Sequence, residues 1–429
     1  MTTPRTATPR TPTPRRARRR LTAAALAAAF LVPSAYAIAP AAASVPQSSA
    51  QHHSHTQDQK RARGALLGVE RLAHKSRAQI DALLAKAKVK APAARYGGTL
   101  YRLTYATITP QGAPTTASAL LVLPDGGGKK IATVSETHGT TGYRGYAPSG
   151  EDSLSGLGAL LYAAGGRAVV APDYLGLGSG PGRHPYMDTR SSVSASLDAL
   201  RAGRTAAGQH GKRLTGEVYV TGFSQGGQVA VALAREIQRG AAPGLRLRAL
   251  APVSGPYAIG GEELPGMYDG RVAGTSAVFY LSYFLTAQNR LHPLYSDPRQ
   301  VFRAPYSARV EGLFDGSHKD EEISAQLPRT IEKLLTPKWY ADLRHPTGAL
   351  ARVVRLNDGM CAWGPRVPVR LHTSHGDRDV PRGNTVRCAK DMAAHGVKAT
   401  VVDHGEADHG GTYREAVGEN ARWFARLDD

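Results

Sequence analysis

Cysteine is almost missing from this chain: 429 residues contain two, Cys361 and Cys388. Two thiols cannot supply a disulfide framework, so an ordinary hydrophobic core must hold the fold. Acidic residues are also scarce. Lys and Arg number 54 against 34 Asp and Glu, a formal charge of +20. No block of Lys and Arg interleaved with aromatics accompanies that excess, and no nucleic-acid motif is present. The charge therefore reads as a basic surface open to transient contact with lipid or anionic surfaces, not as a nucleic-acid site. The apolar run at 21–32 is too short to span a bilayer.

What precedes and follows that run has a different use. Residues 1–20 are rich in Thr, Pro and Arg and end in Arg15-Arg16-Ala17-Arg18-Arg19-Arg20. Small-residue triplets come next, Ala35-Tyr36-Ala37 and Ala41-Ala42-Ala43. Charged, apolar, then small is the order of a secretory signal peptide, predicted here over 1–43. The arginine pairs match a twin-arginine signal only weakly. Removing this segment, with its seven arginines and no acid, leaves +13. The mature chain is expected outside the cell and as a monomer. Residues 44–63 are polar and of low complexity, with His52, His53 and His55. They read as a solvated linker rather than a metal site.

From 64 onward the pattern is that of a folded enzyme. Leu66, Leu67, Val69, Leu72, Ile80, Leu83 and Leu84 recur near the helical period, predicting a helix over 64–90. Alternating residues at 100–108 and 117–123, around Pro110-Gln111-Gly112, predict an antiparallel hairpin. Strands at 131–135, 167–171, 245–253, 367–373 and 397–402 then alternate with helices at 153–164, 191–210, 229–239, 385–394 and 412–427. Another strand ends just before Gly222. The fold class is α/β, a doubly wound and mostly parallel sheet whose hairpin supplies antiparallel edge strands. The alternation breaks over 255–360, where aromatic helical stretches, charges and prolines show no parallel strand. That segment reads as a largely helical cap inserted between core parts 64–254 and 361–429.

The chemistry centres on Gly222-Phe223-Ser224-Gln225-Gly226-Gly227, directly after an apolar strand and before a helix. Gly-x-Ser-x-Gly in that context is a nucleophile elbow: a tight turn lifts the serine and leaves the next amide, that of Gln225, free to donate. A glycine-rich turn with an ordinary serine is the bland alternative. A serine hydroxyl needs a base within reach, and the base needs an orienting acid. Two later loops supply both. Ser374-His375-Gly376-Asp377-Arg378-Asp379-Val380-Pro381 offers Asp379, preferred for its place before Val-Pro, with Asp377 as the alternative. Asp403-His404-Gly405-Glu406-Ala407-Asp408-His409 offers His409 as the base and leaves His404 at the surface or behind it. For the oxyanion, Thr140 of His138-Gly139-Thr140 is the expected partner of Gln225, its hydroxyl adding a further hydrogen bond.

The order Ser224, Asp379, His409 resembles that of α/β-hydrolases. The chain is most similar to their secretory lipase/esterase group. The likeness rests on the elbow, the two loops, His138-Gly139-Thr140 with Gly142 and Pro148-Ser149, and Pro172-Asp173-Tyr174-Leu175-Gly176 with His184-Pro185-Tyr186. It spans roughly residues 95–425. The resemblance implies hydrolysis of small-molecule or lipid carboxylic esters through an acyl-enzyme, with no metal or organic cofactor. A serine peptidase of the same fold is the chief competitor, and Glu262, Glu263, Asp320, Glu321 and Glu322 are candidates to hold a substrate amine. A non-catalytic basic binding protein would lack a triad member, and none is missing.

Export also bears on Cys361 and Cys388. In an oxidising compartment their one available pairing is with each other, tying the end of the cap to the helix behind the acid loop. Closing a loop of that length stabilises by about 3.5 kcal/mol in the chain-entropy model. Two buried free thiols are the alternative.

Overall fold

The computed structural model describes residues 62–153 and 156–427. The predicted signal peptide, and all but the last two residues of the predicted linker, lie outside them. A nine-stranded sheet runs in the order β1-β2-β3-β5-β4-β6-β7-β8-β9. The strands are β1 (Leu66–Lys75), β2 (Gly98–Ile108), β3 (Pro114–Pro124), β4 (Lys130–Thr137), β5 (Ala168–Pro172), β6 (Arg213–Phe223), β7 (Arg246–Val253), β8 (Arg370–Thr373) and β9 (Thr400–Asp403). β1, β2, β3 and β5 pair antiparallel in turn, and every pairing from β5 onward is parallel. The predicted hairpin is β2–β3, with Leu103 opposite Ala119.

Neighbouring residues of the central strands face opposite cores, as the two-residue period of a strand requires. Val169, Tyr219 and Ala249 pack with Ile80, Leu160 and Phe424 on one side. Val170, Val220 and Leu250 pack with Leu200, Val229, Leu233 and Met392 on the other. A sheet covered on both faces explains why these strands read as continuous apolar runs.

The first predicted helix is a correction. Leu66–Lys75 is a strand, and only Arg77–Lys86 is helical. Leu66, Val69 and Leu72 fit a helical stripe, but the residues pair antiparallel with β2, Leu66 opposite Tyr105 and Lys75 opposite Gly98. Long-range pairing overrides weak local periodicity here. The helix boundary is local chemistry: Ser76 accepts from the Gln79 amide, and the Gln79 side chain accepts from Ser76 N–H.

Residues 255–360 carry no strand of the sheet. Short helices surround one long cap helix, Gly274–Leu291. Its Ala277, Leu281 and Leu285 pack against Leu313, Phe314, Ile331 and Leu334, giving the cap a core of its own that also takes in Tyr186 and Met187. Cys361 and Cys388 are joined by a disulfide and buried at 1% and 0% exposure, so the predicted pairing is present. Among the described residues no helix is long and apolar enough to cross a membrane.

Candidate active site

Ser224 sits between β6 and the elbow helix Gln225–Gln238 with φ 56° and ψ −124°. A side chain at positive φ is strained, so the surroundings must fix it. They do: Ser224 N–H donates to Val253 O at 2.9 Å, and Ser224 O accepts from Gly227 N–H at 2.8 Å. Thr137, ending β4, donates through Oγ1 to Thr221 O (3.0 Å) and shares the bond with Gly226 O (2.7 Å). A Cβ at Gly222 would collide with Thr137 Oγ1, and one at Gly226 with Thr137 O. The motif's glycines are therefore required by this close approach of β4. Gln225 opens the helix, so its N–H has no intrahelical carbonyl to meet.

His409 opens the closing helix, His409–Arg426, whose first turn is capped by Asp408. Its Nδ1 lies 2.7 Å from Asp377 Oδ2, and its ring packs 4.4 Å, centroid to centroid, from Phe223 beside Ser224. The carboxylate that meets His409 is thus Asp377 and not Asp379. The reason is an Asx turn. Asp377 Oδ1 accepts from the amides of Asp379 and Val380, each at 2.9 Å, which curls the loop and aims Oδ2 at the imidazole. Burial by itself raises the Asp377 pKa, but the His409 contact and the two amides outweigh it and hold the carboxyl below its usual range. Asp379, two residues on, lines the substrate cleft and accepts from Tyr280 O–H at 3.3 Å. One of its oxygens still lies within 4.8 Å of a His409 ring nitrogen.

His409 Nε2 is buried and, among the described residues, has no hydrogen-bond partner. This is the atom that would take the serine proton, and such catalytic hydrogen bonds often close only around substrate. His404 is buried behind the base loop, its side chain 3% exposed. Its Nε2 lies 3.0 Å from His372 Nδ1, and His404 N–H donates to Thr373 O at 2.8 Å. It ties the loop that carries His409 to the strand that leads to Asp377.

Thr140, Ser224 and Gln225 line one narrow cleft between the sheet's carboxyl edge and the cap. Its walls are largely apolar, with Ile259, Leu264, Leu281 and Phe284 prominent. Glu263 also lines it, 3% exposed, and burial first of all pushes its pKa well up, although Asn384 Nδ2 donates to it at 2.6 Å. The other acids offered as amine holders are used elsewhere. Asp320 accepts from the amides of Gly142 (2.7 Å) and Tyr143 (3.2 Å), clamping the loop that carries Thr140. Glu262 pairs with Arg271, Glu321 accepts from Tyr146 O–H, and Glu322 caps its own helix.

Two groups near the site escaped the sequence reading. Glu136, in β4, is buried, and its pKa is pushed up to about 8 by that burial; Tyr413 O–H donates to it at 2.9 Å. Its only sequence signal is a lone acid in an apolar strand. His184 and Tyr186 touch the Gln225 and Thr140 side chains, and their signal was the His-Pro-Tyr triplet itself.

The model of the alpha/beta hydrolase family matches residues 137–425. No curated protein matches in sequence. Among solved structures, a protein of Legionella pneumophila described as a hydrolase is similar at 25% identity and a TM-score of 0.76, over 85% of this chain and 98% of that one. The ligand-bound rice cell wall degrading esterase LipA of Xanthomonas oryzae is 30% identical with a TM-score of 0.71, over 86% and 96%. Lipase A of Candida antarctica shares the fold at 14% identity and a TM-score of 0.58, over 81% and 78%.

Proposed function

The chain belongs to the alpha/beta hydrolase family, and from that premise we propose that it is a secreted serine hydrolase of carboxylic esters. Ser224 Oγ attacks the ester carbonyl while His409 Nε2 takes its proton. Asp377 holds the imidazole with Nδ1 protonated and stabilises the imidazolium that forms. The amides of Gln225 and Thr140 receive the negative charge on the carbonyl oxygen. The alcohol leaves with the proton from His409, and water repeats the sequence on the acyl-enzyme. The observation that carries the reading is the 2.7 Å contact of His409 Nδ1 with Asp377, made beside a strained serine elbow. The LipA likeness and the apolar cleft support an ester with an apolar acyl or alcohol part. The disulfide and the N-terminal pattern support export.

Ser224→Ala is the test. With chromogenic acyl esters of rising chain length, purified variant should retain only a trace of activity while melting as the parent does. Substantial residual hydrolysis would sink the assignment. Glu263 in the cleft favours a second reading, aminoacyl substrates, so aminoacyl anilides belong in the same panel. Their hydrolysis at rates above the esters would move the protein to the peptidases.

A further inference from the structure

The two residues expected to form the oxyanion hole, Thr140 and Gln225, come from different loops of the sheet edge. One tripeptide touches both. Gln225 Nε2 lies 3.2 Å from His184 Nε2, and Thr140 Oγ1 lies 2.9 Å from the Tyr186 hydroxyl. Pro185, with its fixed φ, stands between them.

The hydrogens in this arrangement can be assigned by elimination. His184 Nδ1 faces Leu175 O at 2.9 Å, which accepts only, so Nδ1 carries the proton. Nε2 then carries the lone pair and accepts from the Gln225 side-chain NH2. Burial lowers the His184 pKa to about 3, so this tautomer persists throughout the neutral range. Tyr186 is 5% exposed, and among the described residues its hydroxyl meets only Thr140 Oγ1. Either oxygen can donate; with Thr140 as donor the phenolic hydrogen would meet no protein acceptor among the described residues, a costly state. Donation by Tyr186 avoids that and leaves the Thr140 hydrogen free. Thr140 lines the cleft beside Ser224, where a substrate carbonyl must lie.

The cap holds this tripeptide in place. From the long cap helix, Gln288 Nε2 donates to Tyr186 O at 2.7 Å, and Arg290 Nη2 to His184 O at 3.4 Å. Tyr283 of the same helix stacks on Tyr186 with centroids 4.2 Å apart and planes at 7°.

We propose that His184-Pro185-Tyr186 frames the oxyanion hole. Tyr186 is a positioning residue whose donated hydrogen bond turns the Thr140 hydroxyl toward the substrate oxyanion as a third donor. His184 locks Gln225 on the opposite side. The proposal rests on the ester-hydrolase reading above and adds to it a role for the cap beyond covering the cleft.

The experiment is a double-mutant cycle on the full-length secreted protein with a short-chain p-nitrophenyl ester, plus inhibition by an alkyl boronic acid whose serine adduct presents a tetrahedral oxyanion. Tyr186→Phe keeps the ring stacked on Tyr283. It should lower kcat about tenfold with KM nearly unchanged and weaken boronate binding by the same factor, because only charge stabilisation is lost. Thr140→Val should lose at least as much, Thr140→Ser, which keeps the hydroxyl, should recover most of that loss, and adding Tyr186→Phe to Thr140→Val should cost nothing further. Multiplicative losses in the double variant, a change in KM alone, or a fully active Tyr186→Phe overturns the proposal. A Ser224→Ala control separates the two readings. An active control overturns both, whereas an inactive control beside an unaffected Tyr186→Phe overturns this one alone.

Discussion

Replacing Asp377 by Asn tests the assignment of the acid most sharply. The substitution preserves volume and keeps an oxygen that can accept from the amides of Asp379 and Val380, so the loop should hold. The group facing His409 Nδ1 then becomes an NH2, which can only donate. The imidazole must turn its lone pair toward it and place its proton on Nε2, the one nitrogen that should receive the serine proton. Both the base and the compensation of the imidazolium are lost. The expected fall in kcat is about 10^4-fold at neutral pH, or about 5 kcal/mol of transition-state stabilisation. Asp379→Asn changes no contact to Nδ1 and should cost less than about tenfold, through the cleft and Tyr280 alone. The assay is kcat on one soluble chromogenic ester, with melting temperature as the control. Equal losses in the two variants, or a larger loss in Asp379→Asn, refute the reasoning. Stability supplies a second readout. The folded pKa of Asp377 is depressed, so its contribution is complete above the usual carboxylate value of 3.8 and is lost as pH falls through the lower folded value. Asp377→Asn should therefore weaken the fold at neutral pH and flatten its acid dependence.

Three further outcomes are expected. Ser224→Gly removes the side chain held at φ 56° and should raise stability by about 1 kcal/mol in denaturant melts while abolishing activity; an unchanged or lower midpoint contradicts stored strain at the elbow. Glu136 has a raised folded pKa, so the folded state loses stability as pH climbs from the usual carboxylate range to about 8. Glu136→Gln should remove that slope, and a parallel pH profile in the variant argues against it. Reducing the Cys361–Cys388 disulfide should lower the melting temperature by about 5 °C without removing a catalytic group, and finding two free thiols in unfolded, unreduced protein rules the bridge out.

Local chemistry made much of this protein legible. The elbow could be read because its demands are written in consecutive residues: a strand, a serine, and glycines where β4 approaches too closely for a Cβ. The order of strands and helices followed from periodicity, since strands covered on both faces are apolar throughout and the helices between them are amphipathic. Thr140 and Gln225 could be placed together because each lies within three residues of the carboxyl end of a strand. The disulfide followed from a count of two. The same local logic misread residues 66–75, where three apolar residues suit a helix and an edge strand equally.

Choosing between Asp377 and Asp379 lay beyond the sequence. Both occupy one loop and both come near His409, and only the Asx turn decides which carboxylate faces the imidazole. The cap's acids were likewise indistinguishable as letters, yet Asp320 clamps a backbone loop while Glu263 enters the cleft. The fold class, the serine elbow and the choice of His409 over His404 were legible in the chain alone, because each depends on neighbours within a few residues. Only the tertiary structure decided which aspartate faces His409, what the cap touches and which side chains meet Thr140 and Gln225. Those depend on the directions of side chains brought together from distant parts of the chain, and a one-dimensional pattern carries no direction.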